Sequence, residues 1–177
     1  HIGKDARFSM NEVELYLAGY TKTTIEDGAT LTNKKGNVIT ITAGELTING
    51  GTFSGGNTIV KNIAGTGGAI TTDTSSAIFI RQHTTRQDLK VTINGGTFTA
   101  AVPFYQATGQ EDESNTSNVP QPNKVSLSIT GGYFASNRSA ADGGVAIKSD
   151  DKTGFITGGY FNTDPTAYCV SGKTGIP

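Results

Sequence analysis

The sequence predicts an all-β chain wound as a right-handed parallel β-helix, a solenoid of short strands with atypical capping ends. Three observations carry that expectation. A short motif recurs four times: Leu46-Thr47-Ile48-Asn49-Gly50-Gly51-Thr52-Phe53, Val91 to Phe98, Leu127 to Phe134, and Phe155 to Phe161. Each copy is preceded by an apolar stretch, at Asn37–Ile41, Ser76–Ile80, Val102–Tyr105 and Gly144–Lys148. The composition fits short strands and tight corners, because 24 of 177 residues are Gly and Thr, Ile and Val are abundant. β-branched residues suit a pleated, half-buried surface.

Within one copy, Leu46 and Ile48 share a strand face because side chains alternate with period two. Thr47 and Asn49 take the other face. Gly50-Gly51 then turns the chain, since Gly reaches positive φ without a Cβ penalty, and Phe53 points back inside. One such unit cannot bury its own apolar face and needs another copy stacked on it. A β-sandwich is the rival, but its neighbouring strands are hairpin partners of unlike sequence. Like sequences at like places instead predict one ladder of Ile48, Ile93, Ile129 and Ile156, and a second of Phe53, Phe98, Phe134 and Phe161.

Taken in order, residues 1–20 read as an N-terminal cap. Ser9 and Glu12 have the spacing of a capping box, with Met10, Val13 and Leu17 at helical intervals. Val13, Leu15 and Leu17 also alternate, so a strand is preferred and a short helix is the rival. Residues 21–161 are the coils. The polar segment 108–124, with Glu111-Asp112-Glu113 and Pro120-Gln121-Pro122, leaves the stack as a loop. Residues 162–177 form a closing turn, with Asp164 as N-cap and Pro165 at the first helical position. The whole chain reads as a single module, a fragment of a larger protein.

The arithmetic excludes several classes. Apolar residues make up 34%, below the roughly 45–50% of an average domain. Fourteen basic residues face fifteen acidic ones, for a net charge of −1, which leaves no electrostatic footprint for nucleic acid. No apolar run approaches the ~20 residues of a spanning helix, so no membrane insertion is expected. The one cysteine, Cys169, rules out an internal disulfide and reads as a small buried hydrophobe.

The Ile-x-Gly-Gly-x-Phe repeat resembles that of right-handed parallel β-helix regions in large cell-surface proteins of Gram-positive gut bacteria. Its most specific piece is the closing run Ile156 to Tyr168, which is similar to the final coil of such regions. The resemblance spans Leu46 to Val170. It implies a secreted, cell-wall-associated, modular protein without implying one activity, since the wider β-helix group holds polysaccharide lyases and hydrolases as well as adhesins and spacers. Cys169 and the N-terminal segment depart from the pattern.

The densest functional-looking group is Arg81, His83, Arg86 and Asp88, beside Tyr105 and Gln106. Alternation from Ile78 and Ile80 turns Arg81 and His83 outward together, giving a basic, hydrogen-bonding patch. The competing reading is a charged strand edge that blocks unwanted pairing. His83 has only the terminal His1 as a second imidazole, so no metal site is expected, and no cofactor is implied. The acids do not recur from coil to coil, and Asp150-Asp151 reads as turn chemistry. The leading expectation is therefore a monomeric, non-catalytic binding or adhesion module for a host protein or glycan, with host immunoglobulin one candidate ligand. A carbohydrate-active enzyme and a structural spacer are the alternatives.

Overall fold

The computed structural model describes residues 1–58, 74–83, 87–109 and 124–174. These residues form an all-β structure of three all-parallel sheets. The six-stranded sheet holds β1 (Arg7–Met10), β4 (Thr30–Asn33), β7 (Thr52–Ser54), β10 (Thr97–Ala100), β13 (Tyr133–Ser136) and β15 (Tyr160–Phe161), in that order. The five-stranded sheet holds β2 (Leu15–Leu17), β5 (Ile39–Ile41), β8 (Ile78–Ile80), β11 (Phe104–Gln106) and β14 (Ile147–Ser149). The four-stranded sheet holds β3 (Lys22–Ile25), β6 (Gly44–Ile48), β9 (Leu89–Ile93) and β12 (Val125–Ile129). From β1 to β12 the chain visits the six-, five- and four-stranded sheets in a fixed cycle, so each of those turns adds one strand to each sheet; after β14 only the isolated Ile129–Ile156 bridge extends the four-stranded sheet before β15. That arrangement is compatible with a parallel β-helix.

The strand pairing places the repeats in register. Phe53, Phe98, Phe134 and Phe161 are consecutive partners. Their rings stack at centroid distances of 4.8, 4.6 and 5.1 Å, with interplanar angles of 7°, 8° and 9°. Ile48, Ile93 and Ile129 form the second ladder, and Ile156 joins it through an isolated bridge. Both ladders run further toward the N-terminus than the repeat alone shows. Leu31 and Phe8 lie below Phe53, while Ile25 and Ile2 lie below Ile48. A third row, Leu15, Ile39, Ile78, Phe104 and Ile147, comes from the five-stranded sheet. Apart from Phe8, which is exposed, these inward rows form one continuous core. Each fully buried Ile or Phe contributes about 1.5–3 kcal/mol, so a narrow stack holds together on few apolar residues.

The two glycines of the corner serve different ends. The second, as at Gly96, sits at φ +113, a region costly for any residue with a Cβ. The first is held by the neighbouring coil: a Cβ on Gly131 would lie 2.5 Å from the backbone oxygen of Asn94.

The N-terminal segment is strand rather than helix, since β1 and β2 pair with β4 and β5. Glu12, the expected box acid, lies between them at φ +74 and bonds Lys35. At the other end a 3-10 turn spans Thr166–Tyr168, one residue later than expected. Asp164 still acts as its anchor, accepting from the Thr166 backbone N–H at 2.9 Å. Tyr168 packs on Phe155, and Cys169 bridges to Ile156, which closes this end of the stack. Among the described residues no helix is long and apolar enough to cross a membrane.

Candidate functional site

Alternation along the five-stranded sheet sends Ile78, Ile80 and Phe104 inward and their neighbours outward. The outward row is Tyr16, Thr40, Phe79, Tyr105 and Lys148, in register from strand to strand. Part of this outer row is itself covered. Phe79 and Tyr105 meet edge to face at 5.4 Å, and with Val102 and Ala107 they form a second, smaller apolar cluster.

A polar network sits at the end of that row. The Lys148 ammonium donates to the Tyr105 hydroxyl at 3.0 Å and lies 4.2 Å from the centre of its ring. The hydroxyl donates in turn to Asp150 Oδ2 at 3.2 Å. Lys148 and Asp150 are themselves 3.5 Å apart. The Thr108 N–H points at the same carboxylate oxygen at 3.4 Å, and the Thr108 carbonyl accepts from Arg81 Nε at 3.3 Å. Burial pulls the Arg81 guanidinium below its ordinary value, against the attraction of Tyr105 and Asp150, and it stays charged at neutral pH. Burial also acts to lower Lys148. The hydrogen bond and attraction of Tyr105, with the attraction of Asp150, outweigh it and hold the ammonium above its ordinary value. Asp150 is ion-paired with Lys148 alone and attracts Arg81 from further off, so this network holds two cations against that one carboxylate, on or beside the rungs of the sheet.

Of the residues singled out in the sequence, Arg81 and Tyr105 meet in this network. His83 follows on the same outward alternation, half-buried, with its backbone N–H on the Thr42 carbonyl at 3.0 Å. Gln106 points the other way. It is 2% exposed, its amide donates to the Ala107 carbonyl at 2.7 Å, and its oxygen accepts from Ser149. Asp88 lies apart from the network, exposed and paired with Lys124 at 3.3 Å. Arg86, and the segment 110–123 with Glu111, Asp112 and Glu113, lie outside the described residues. Of the other members, sequence reasoning passed over Lys148 and read Asp150 as turn chemistry alone. A signal existed: Ile78-Phe79-Ile80, Phe104-Tyr105-Gln106 and Ile147-Lys148-Ser149 are equivalent, so Lys148 had to share the row of Tyr105.

Asp88 belongs to an open groove of about 650 Å³ at the strand starts of the four-stranded sheet. Its floor follows the register row Lys22, Glu45, Lys90 and Ser126. Lys22 pairs with Glu45 at 2.9 Å, and that bond, with Lys22's charge, holds the Glu45 carboxyl below its usual range. Next to the charged row on the same outer face runs a hydroxyl row of Thr24, Thr47, Thr92 and Ser128. Beyond it an amide ladder links Glu26, Asn49, Asn94 and Thr130 through bonds of 3.1, 3.0 and 3.1 Å.

No family model, curated protein or solved structure matches the chain. The arrangement therefore speaks through its own chemistry: cationic and hydroxyl donors fixed on strands, facing outward.

Proposed function

We propose that the chain is a stretch of right-handed parallel β-helix from a cell-wall-associated bacterial surface protein, working as a monomeric, non-catalytic binding module for a host protein or glycan. Secreted host immunoglobulin is one candidate ligand. The observation that carries this reading is the Arg81–Tyr105–Lys148–Asp150 network. Its members sit on or beside adjacent sheet rungs, and groups held on sheet are positioned more tightly than groups on loops. The excess positive charge favours a partner that offers carboxylates or other acceptors there.

The test is a binding screen of the purified chain against secreted host proteins and a panel of glycans, alongside an Arg81→Ala/Lys148→Ala variant. The reading expects a ligand whose affinity falls in the variant while the melting transition is kept. A polysaccharide that is cleaved rather than bound would favour the enzyme alternative and overturn it.

A further inference from the structure

We infer that the groove along the four-stranded sheet is a binding site for an acidic oligosaccharide; this deepens the binding-module reading and rests on it. The groove crosses the starts of β3, β6, β9 and β12, from Tyr20 and Lys22 to Lys124 and Ser126. Four adjacent strands at a spacing of 4.7–4.9 Å give a floor about 14 Å long. That length suits an extended chain better than a single small molecule.

Three features specify the ligand. Tyr20, at the lip, is 88% exposed, which leaves the phenol free for stacking. The apolar C–H face of a pyranose ring is a natural partner for such a surface, as aromatic side chains with a polar tip suit ligands that are apolar on one side and wet on the other. The groove's lining carries three ammonium groups, Lys22, Lys90 and Lys124, against two carboxylates, Glu45 and Asp88. Lys22 and Lys124 are each paired with one of those acids. Lys90 touches Glu45 only through a weak long-range attraction, and it makes no ion pair among the described residues. Lys90 is therefore the group that an incoming carboxylate or sulfate would satisfy. Ser126 and the hydroxyl row beyond it supply neutral donors and acceptors of the kind that sugar hydroxyls use. An acidic peptide would meet the same lysines but would make less use of the exposed ring and the hydroxyl row.

The experiment titrates the whole chain calorimetrically with an oligogalacturonate, a sulfated heparin fragment, a neutral malto-oligosaccharide of similar length, and poly-glutamate. Tyr20→Ala and Lys90→Ala are the variants; both positions are exposed, so both proteins should melt as the parent does. The inference expects one or both acidic sugars to bind, the neutral sugar to bind weakly or not at all, and each variant to lose affinity about tenfold. Affinity should also fall as salt is raised. Which acidic sugar binds separates a carboxylate preference from a sulfate preference. Acidic sugars that bind equally well to both variants, yet fail with Arg81→Ala/Lys148→Ala, would place the site elsewhere and leave the binding-module reading standing. Poly-glutamate binding in the groove without sugar binding overturns the ligand class. No binding by any of the four probes overturns the groove assignment, and the broader reading falls with it only if the host-protein and glycan screen is also blank.

Discussion

Replacing Phe98 by Ala should cost far more than the same change at the end of the aromatic ladder. Phe98 is fully buried and stacked on both sides, on Phe53 at 4.8 Å and Phe134 at 4.6 Å. A buried Phe→Ala change costs about 3–5 kcal/mol, including the cavity it leaves. Two lost ring contacts, each worth roughly 0.5–1.5 kcal/mol beyond burial, push the estimate toward the upper half of that range. Among the described residues Phe161 stacks on one ring only, that of Phe134, so Phe161→Ala should cost about 3 kcal/mol. Phe8 occupies the same register row but is 43% exposed and rests on Leu31, so Phe8→Ala should cost about 1 kcal/mol. Urea unfolding followed by circular dichroism measures all three, with the slope checked to show that each variant still unfolds as the parent does. For a chain this size, 4 kcal/mol corresponds to a fall in melting temperature of roughly 8–16 °C. Equal losses at Phe98 and Phe8 would refute the stacked ladder.

The remaining predictions concern other parts of the same scaffold. Ile93→Asp buries an unpaired charge in the middle ladder and should abolish the folded state, seen as loss of the strand signal in circular dichroism. Gly131→Ala forces a Cβ against the Asn94 carbonyl oxygen and should destabilise by about 1–3 kcal/mol; Gly3→Ala, which meets nothing within 4 Å, should change the melting temperature little. Lys148 is held above its ordinary value of 10.5, so its charged form is favoured by folding. That stabilisation is fully present below about pH 10.5 and is lost as pH rises through the higher folded-state value. Melting curves across the alkaline range should therefore fall more steeply for the parent than for Lys148→Met, and parallel curves would count against the Tyr105–Asp150 network.

The core was legible where one corner chemistry repeats. Ile48, Ile93, Ile129 and Ile156, and the four phenylalanines above the Gly-Gly corners, announce their register because alternation and identity agree. The earliest rungs hide because they reach the same positions with other residues. Leu31 replaces the Phe, and the three residues Asp27-Gly28-Ala29 stand where the later coils have Gly-Gly, with Gly28 at φ +85. Residues 7–10 and 15–17 carry no corner motif at all, yet they pair as the start of the stack. The site was legible in part. Arg81 and Tyr105 follow from alternation, and the same alternation sends Gln106 inward with Phe104, although its polar side chain suggests a surface role. Its burial works because Ser149, its register partner, supplies a hydrogen bond inside. The covering of Phe79 and Tyr105 on the outer face had no such signal, because a strand pattern reports which side a residue faces and not what lies over that side.

The in-register stack is the foundation of the whole account, and paired cysteines test it most directly. In a Cys169→Ser background, Thr47→Cys/Thr92→Cys joins direct register partners, whose spacing of about 4.8 Å lies within disulfide reach. Thr47→Cys/Ser128→Cys places the thiols two strands apart, since Ser128 pairs with Thr92, a distance of about 9.5 Å that no disulfide spans. Mild oxidation of the folded chain should crosslink the first pair and not the second. Crosslinking of the second pair in preference to the first would contradict the register on which the ladders, the polar network and the groove all depend.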